Sequence, residues 1–279
     1  MKKILLLPAI LFLFCSSVFS QTGLLTLSQL QRTRLYKSLD EALKEPNKVY
    51  RINLENSGLT KLPIEISSLI KLQSLNISNN NISILPKEIG LLKNLQFFNL
   101  SKTNISTLPS EFSNLKNLLV LNLDNMTSLD FFNEKNKIFS LSNLRELSMN
   151  SVYIMSFPFE IRKLKNLLKL NMSNCALTDV SGYIGGLINL AYLDLTFNEI
   201  SEIPEQIGDL INLKELYLGG NKIISLPEDI ENLKESLSIL GLAAELEGSG
   251  ELIGNPIPKN EVYKIQDMLP DTKIIYIWN

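Results

Sequence analysis

The chain has 279 residues, of which 45% are hydrophobic and 20% are charged, and its formal net charge is −2 at pH 7. This length and composition fit one or two ordinary domains and exclude a chain that is disordered for lack of apolar residues. Because the charge is slightly acidic and histidine is absent, nucleic acid is not expected as a partner, and the commonest general base and zinc ligand are both missing.

Residues 1–20 have the pattern of a secretory signal peptide. Lys2 and Lys3 form a positive start, an apolar stretch follows, and a cut is expected ahead of Gln21. The apolar stretch is too short for a membrane span, which needs about 20 residues. Cys15 leaves lipid attachment open as an alternative. The sequence therefore predicts an exported protein, secreted, periplasmic or at the cell surface, with a membrane contact only if Cys15 is lipidated.

Residues 21–48 are predicted to form an N-terminal cap that contains a helix. Ser38 is placed to start this helix, Glu41 three residues later suggests a capping box, and Pro46 lies beyond the helix end. The helix would cover the first repeat with an apolar face formed by Leu39, Ala42 and Leu43.

From residue 49 onward, apolar residues recur with a period of 23. The units start at residues spaced by 23 positions, with one gap of 26: Val49, Leu72, Leu95, Leu118, Leu144, Leu167, Leu190 and Leu213. Apolar residues three and five positions after each start predict a short strand with one buried face. Later in each unit, as at Leu62, Ile66 and Leu69, apolar spacings of three and four suit a short helical turn. Such a repeat predicts an array in which each coil is stabilised by its neighbours.

The units resemble the pattern L-x-x-L-x-L-x-x-N/C-x-L, and "LPKEIGLLKNL" looks like the 23-residue class found in bacterial and plant leucine-rich repeat proteins. The resemblance covers roughly residues 49–242, with eight clear units and a partial ninth. It implies an α/β fold: a leucine-rich repeat solenoid, or horseshoe, with a parallel concave β-sheet and short helical or 3-10 convex segments. We expect Leu75, Phe98 and Leu121 to stack in register on successive parallel strands.

The gap of 26 residues falls in the fourth unit. One extra residue between Leu123 and Thr127 is predicted to bring Thr127, Leu129 and Phe132 back into frame, and two more are placed within residues 133–137. The insertion would then form a local bulge, and the solenoid would continue past it.

In this family, asparagine usually stands eight residues after each start and binds the backbone of adjoining turns. The equivalent residues here are Ser57, Asn80, Thr103, Thr127, Val152, Cys175, Asn198 and Asn221. Val152 cannot make such a bond, so its coil is expected to use water or altered geometry. Cys175 is predicted to be a buried structural thiol rather than a reactive one. If Cys15 is removed with the signal, no internal disulfide can form.

Residues 243–279 are predicted to be a C-terminal cap. Leu240 and Leu242 belong to a ninth strand, a helix is expected to begin at Asn260, and "KIIYIW" indicates a final strand. This tail resembles the C-terminal closure of bacterial leucine-rich repeat proteins, which hides a sheet edge.

Residues two, four and six positions after each start should face outward on the concave side. The row at the fourth position is rich in asparagine, which indicates an amide ladder between strands, although ligation of a sugar or ion remains an alternative. Its members are Asn53, Asn76, Asn99, Asn122, Ser148, Asn171, Asp194 and Tyr217.

Two apolar spots on this face are candidate anchors for a partner: Phe97 and Val120 adjoin on neighbouring coils, and Tyr192, Phe197 and Tyr217 cluster near the C-terminal end. Exposed aromatic residues on a rigid sheet often carry binding energy. The alternative is that they are ordinary surface aromatics. The two spots should lie roughly 20 Å apart. The candidate partner-binding residues are Phe97, Val120, Glu146, Lys169, Tyr192, Asp194, Phe197 and Tyr217.

These observations predict an exported, non-catalytic protein-binding module that uses its concave face. The expected partner is another protein, with a host protein as one option, and no cofactor, metal or catalytic residue is expected. The alternative is a lipid-anchored periplasmic or surface scaffold. Some bacterial leucine-rich repeat effectors are ubiquitin ligases with a nucleophilic cysteine in a large C-terminal domain, but no cysteine follows Cys175 here, so an enzyme is not expected.

Overall fold

The computed structural model describes residues 23–246 and 248–277. The predicted signal peptide, including Cys15, lies outside the described residues. Within the described part of the chain, no helix has both the length and the apolar character needed to cross a membrane.

A single long sheet runs through the molecule. Within the described residues it has eleven strands, and apart from the last its strands follow one another in chain order. The strands are β1 (Leu35–Tyr36), β2 (Arg51–Asn53), β3 (Ser74–Asn76), β4 (Phe97–Asn99), β5 (Val120–Asn122), β6 (Glu146–Ser148), β7 (Lys169–Asn171), β8 (Tyr192–Asp194), β9 (Glu215–Tyr217), β10 (Ile239–Gly241) and β13 (Lys273–Ile275). All neighbouring pairs are parallel, and Leu75 stands opposite Phe98, which stands opposite Leu121. The predicted stacking is confirmed.

Short 3-10 helices form the convex side. Most of them begin directly after a proline in extended conformation. Proline suits the start of a helix because its φ angle is already fixed near the required value, and because a backbone N–H there would have no partner within the helix. Their middle apolar residue, such as Ile66 or Ile207, is fully buried against the strands. The convex 3-10 helices are Ile64–Ser68, Lys87–Leu91, Ser110–Asn114, Phe159–Lys163, Gly182–Gly186, Glu205–Asp209 and Glu228–Leu233.

The insertion in the fourth unit forms an α-helix, α3 (Phe131–Ile138), which begins at the N-cap Asp130. The predicted frame was wrong for Thr127 and Phe132, which are both exposed, and right for Leu129, which is buried. Met126 fills the buried position that was assigned to Thr127. An α-helix rises about 1.5 Å per residue and a 3-10 helix about 2.0 Å, so the same span of a coil holds more residues when it is α-helical. The extra residues therefore lengthen a helix, and the sheet passes the insertion unchanged.

The N-terminal cap contains α1 (Leu27–Gln31), α2 (Leu39–Leu43) and a 3-10 turn, Pro46–Lys48. Ala42 is buried in the core, and Leu39 and Leu43 pack against it.

The predicted capping box at Ser38 and Glu41 was wrong. Ser38 is the N-cap of α2, but its side chain makes no capping bond, and the Glu41 carboxylate pairs with Arg34 instead. A capping box does occur one helix earlier, between Thr26 and Gln29 at the start of α1.

The C-terminal cap consists of an antiparallel hairpin, a helix and the last strand. The hairpin is β11 (Ala243–Glu245) and β12 (Leu252–Gly254), and α4 (Lys259–Met268) follows. Val262 and Ile265 of α4 and the following Leu269 are buried. The chain then returns as β13, which extends the main sheet beside β10.

An internal asparagine ladder connects the coils as the family pattern implies. Asn80 and Asn198 each accept two backbone N–H groups of the preceding coil and donate to backbone carbonyls of both coils. Asn255 of the C-terminal cap continues the ladder, donating to the carbonyls of Leu218 and Leu242. In the coil of Val152, the backbone N–H donates to the Met149 carbonyl, so that turn is closed by altered geometry.

A second, exposed asparagine ladder was not predicted. Each of its side chains donates to a backbone carbonyl of the preceding coil at about the same distance, near 2.8–3.1 Å. Each member stands directly before the leucine that starts a repeat unit: Asn94, Asn117, Asn143, Asn166, Asn189 and Asn212.

Candidate partner-binding face

The concave face presents one side chain per strand in strict register. We call the residues at the first position of β2 to β9 the concave row. All of them are half-buried. The row reads Arg51, Ser74, Phe97, Val120, Glu146, Lys169, Tyr192 and Glu215. Along this line across the strands, two polar residues come first, two apolar residues follow, and the last four residues are three charged side chains and one tyrosine.

The first predicted apolar spot is present. Phe97 and Val120 are direct register neighbours on β4 and β5, and both are half-buried. Their side chains form an apolar step on an otherwise polar surface, which could receive an apolar side chain of a partner.

The second spot contains two stacked tyrosines. The ring centroids of Tyr192 and Tyr217 lie 5.4 Å apart with the ring planes tilted by 46°. The Lys169 ammonium group lies 4.5 Å from the Tyr192 ring centroid, within range for a cation–π interaction. The Tyr217 hydroxyl donates to Glu215 at 2.8 Å, and the Tyr192 hydroxyl contacts Asp194 at 3.4 Å. The structure thus brings together four of the candidate residues: Lys169, Tyr192, Asp194 and Tyr217.

Burial dominates the electrostatics of this spot. It raises the pKa of Asp194 and of Glu146 above the usual carboxyl values, while the charge of Lys169 opposes the shift in both. It also raises the pKa of the Tyr192 and Tyr217 hydroxyls, and nearby carboxylates add to that rise. Both tyrosines therefore remain protonated hydrogen-bond donors at neutral pH.

Glu215 completes the cluster, although it was not among the predicted binding residues. It is a register neighbour of Tyr192 and accepts from Tyr217. The signal was visible in the sequence, since Glu215 stands at the same repeat position as Glu146 and Lys169. Gly241 is a second residue of this cluster that was not among the predicted binding residues. It leaves room for the Tyr217 ring, because a side chain at this position would collide with that ring.

Phe197 was predicted to cluster with Tyr192 and Tyr217, but its ring packs against Gly220 instead. Its backbone has a positive φ of 54°. It remains a half-buried aromatic residue at the edge of the concave face.

The asparagine row of the concave face does not form the predicted amide ladder. Oδ1 of Asn53, Asn76, Asn99, Asn122 and Asn171 accepts the backbone N–H two residues later in its own coil. Asp194 does the same with Thr196. The local turn competes successfully for the side chain, because the chain bends directly after each strand and exposes that N–H.

Cys175 is buried, and its thiol donates toward the Met149 and Ser173 carbonyls. Burial raises its pKa to about 12, so it stays a protonated thiol at neutral pH. In the described ranges, no group of three or more histidine, cysteine, aspartate or glutamate side chains is arranged to hold a metal ion.

Comparison with known proteins agrees with this architecture. Residues 53–180 match the family described as a leucine-rich repeat region, and residues 188–235 match the family described as leucine rich repeats in two copies. The chain belongs to the leucine-rich repeat proteins. The comparison with curated proteins gives no significant match.

Solved structures of three proteins illustrate the similarity. The leucine-rich repeat protein LIC12759 of Leptospira interrogans is 34% identical, with a TM-score of 0.70, and the match covers 88% of this chain and 64% of that one. The plant peptide hormone receptor RGFR1, solved in complex with RGF2, is 28% identical over 75% of this chain and 33% of its own, with a TM-score of 0.57. Internalin inlF of Listeria monocytogenes is 20% identical, with a TM-score of 0.51, and the match covers 91% of this chain and 90% of that one. This similarity shows the shared fold alone.

The chain spans less than two thirds of the Leptospira protein and a third of the plant receptor. Leucine-rich repeat domains are generally non-catalytic modules that bind other proteins. The fold of this chain is thus the leucine-rich repeat fold, which is typical of protein-binding modules.

Proposed function

We propose that this chain is an exported, non-catalytic binding module that holds another protein on its concave face. The observation that carries the proposal is the concave row. It combines an apolar step at Phe97 and Val120 with a paired-tyrosine spot at Tyr192 and Tyr217, both on a rigid parallel sheet. Aromatic side chains that are already packed lose little freedom on binding, which makes them suitable anchors.

The charges of the same face narrow the chemistry of the partner. Asp194 and Glu215 are register neighbours of the tyrosine pair, and Glu146 stands one strand further on beside Lys169, the one cation of the cluster as described. Lys169 already lies over the Tyr192 ring, which shows that the aromatic surface accepts a cation. A partner segment with apolar side chains toward β4 and β5 and a basic side chain toward β8 and β9 would complement this order.

The comparisons support a protein or peptide as the partner. RGFR1, which is 28% identical to this chain, is a peptide hormone receptor that was solved with RGF2 bound. Export is part of the proposal and rests on the signal-like residues 1–20. That the partner is a host protein is likewise a proposal, and a pull-down that identifies the captured protein would test it.

The test is a quantitative pull-down with the chain starting at Gln21. A photo-cross-linking residue placed at Ser148, in the middle of the concave face, should label the captured protein. The same residue at Ser68, which is exposed on the convex side, should not. Tyr192→Ala/Tyr217→Ala should weaken capture about thirtyfold, as expected for a pair of interface hot spots, with an unchanged thermal midpoint.

Tyr153→Ala provides a matched control, because Tyr153 is an exposed aromatic residue outside the concave row. Equal capture by the double variant and the wild type would exclude the concave face as the binding surface. Intact-mass analysis of the chain recovered from its native cell would test export separately, since an acyl group on Cys15 would replace the free secreted form by a lipid-anchored one.

A further inference from the structure

A row of exposed aromatic side chains runs across three neighbouring coils on the convex side. Phe132 in α3 is 77% exposed, and Phe159 and Tyr183 in the next two 3-10 helices are each 47% exposed. The ring centroids of Phe159 and Tyr183 are 6.4 Å apart. We call these three residues the convex aromatic row. It lies on the outer surface of the solenoid, away from the concave row.

Two cations each lie within contact range of two rings of this row. The Lys135 ammonium group is 5.3 Å from the Phe132 ring centroid and 5.5 Å from that of Phe159. The Arg162 guanidinium is 5.7 Å from the Phe159 centroid and 5.4 Å from that of Tyr183. Aromatic rings and cations therefore alternate from coil to coil, which holds the exposed side chains in defined positions.

The two cations differ in their other contacts. Lys135 is 3.1 Å from Glu160, a carboxylate whose side chain is only 3% exposed, so its charge is already matched. Arg162 is exposed and has no ion pair or hydrogen bond among the described residues beyond its ring contacts. Its contacts with the two rings leave its N–H donors without a partner among the described residues, and the planar guanidinium can present two of them to one carboxylate.

The charge around Arg162 is positive. Lys163 and Lys165 follow it, are exposed and take part in no ion pair within the described residues. Glu160 in the helix of Arg162 and Glu134 in the adjoining α3 are both buried and both paired with lysines. This positive patch stands out on a chain whose net charge is −2.

We propose that the convex aromatic row and Arg162 form a second binding surface, which receives a protein segment that carries a carboxylate among apolar side chains. The carboxylate would pair with the open edge of the Arg162 guanidinium, whose geometry favours two parallel hydrogen bonds. The apolar side chains would pack on Phe132, Phe159 and Tyr183 and exclude water from that pair. Arginine and aromatic residues are the types that dominate interface energies.

An anionic membrane surface fits this patch less well than an acidic protein segment. Each basic residue near such a surface contributes about 1 kcal/mol, and membrane-binding clusters typically contain at least four to eight of them. In this patch, among the described residues, three exposed cations have no ion pair: Arg162, Lys163 and Lys165. A single arginine in contact with two rings is instead suited to a directional contact with one carboxylate.

The experiment uses the chain from Gln21 with Tyr192→Ala/Tyr217→Ala, so that the concave face does not contribute. A library of random short peptides displayed on phage is selected on this protein, and the enriched peptides are synthesised for affinity measurements. We expect sequences in which aspartate or glutamate neighbours aromatic or leucine residues. Arg162→Glu should weaken their binding about thirtyfold, and Phe159→Ala should weaken it about tenfold.

Lys71→Glu is the matched control, because Lys71 is also an exposed cation near an aromatic ring, that of Tyr50, and the charge change is the same. It should leave binding unchanged, and all variants should keep the wild-type thermal midpoint. The proposal is overturned if the selected peptides lack acidic residues or if Arg162→Glu binds them equally well. It is also overturned if Arg162→Glu abolishes only binding to phosphatidylserine vesicles, or only self-association measured by light scattering.

Discussion

The ring of Phe197 lies directly against Gly220, the residue that holds the same place in the next coil. A β-carbon added to Gly220 would come within 2.6 Å of the Phe197 ring, and both residues have positive φ angles, of 54° and 69°. Other coils place small or polar residues in this left-handed position, as at Asn79, Asn125 and Asn174. Phe197 is a bulky residue in a conformation that disfavours it, and it has room only because the next coil has glycine.

Replacing Phe197 with asparagine should stabilise the protein. Asparagine tolerates the left-handed conformation that costs other L-residues about 1–2 kcal/mol, and part of this gain is offset by lost contact of the ring with Gly220. We expect a net gain of about 1 kcal/mol, or a rise of roughly 2–4 °C in the thermal midpoint. Asn174→Phe makes the reverse change one coil earlier and should lower the midpoint. A lower midpoint for Phe197→Asn would show that packing of the ring outweighs strain.

The internal asparagine ladder should be far more important for stability than the exposed one. Asn198 is buried, accepts from the Cys175 and Leu177 N–H groups at 2.8 and 3.0 Å, and donates to carbonyls of both coils. Asn198→Ala leaves several buried groups unsatisfied at about 1–3 kcal/mol each, so we expect a loss of at least about 3 kcal/mol in urea unfolding.

Asn189→Ala is the matched control for that variant. Asn189 makes a similar 2.8 Å bond to the Lys165 carbonyl, but it is exposed, so water can replace the bond. We expect a loss below about 1 kcal/mol. Similar losses in the two variants would contradict the assignment of the internal ladder as the main polar support of the solenoid.

Replacing only one partner of the ion pair between Lys135 and Glu160 should lower the free energy of unfolding strongly. Glu160 is buried, and its second oxygen, Oε2, has no hydrogen-bond partner among the described residues. Lys135→Met would leave the carboxylate unpaired and should destabilise the protein by about 3–5 kcal/mol. Lys135→Met/Glu160→Leu removes both charges and should recover most of this loss. Additive losses in a double-mutant cycle would mean that the two side chains are not coupled.

Asp194→Asn should increase stability in a pH-dependent way. Burial raises the pKa of Asp194, although hydrogen bonds from Thr196 and Tyr192 and the charge of Lys169 oppose the shift. The stability that the protonated group contributes is fully present below about pH 4, its ordinary unfolded pKa, and is lost as the pH rises through the raised folded pKa. Asparagine at this position can keep the turn bond to Thr196, as Asn171 does to Ser173.

The advantage of Asp194→Asn over the wild type should therefore grow as the pH rises from about 4 toward neutrality and then level off. Urea unfolding at a series of pH values measures it, with Asp179→Asn as the control, since Asp179 is exposed. An advantage that is the same at every pH would indicate a packing effect instead of a charge effect.

The repeat pattern was sufficient to predict the sheet, its register and the inward-facing residues. Each coil must bury the same repeat positions against its neighbours, so residues 23 positions apart stand opposite one another in the sheet. This is why the structure stacks Leu75, Phe98 and Leu121 as predicted. The same regularity predicted which residues line the concave face, including the neighbours Lys169 and Tyr192.

The insertion and the caps were harder to predict, because there the repeat no longer supplies the frame. Thr127 and Phe132 were assigned to the core by counting, but the extra residues formed α3 and left both exposed. Likewise, Glu41 matches a capping box by spacing, yet Arg34 takes its carboxylate. A local pattern cannot show which of two partners a side chain will choose when one of them lies on a different segment.

The sequence by itself determined the solenoid, because burying regularly spaced leucines leaves one way to stack the coils. Only the tertiary structure decided which side chains meet across coils: that Tyr192 pairs with Tyr217, that Phe197 packs against Gly220, and that Arg162 contacts both Phe159 and Tyr183. Each of these contacts depends on side-chain direction and on the space left by the neighbouring coil, and these are set only when the coils have packed together.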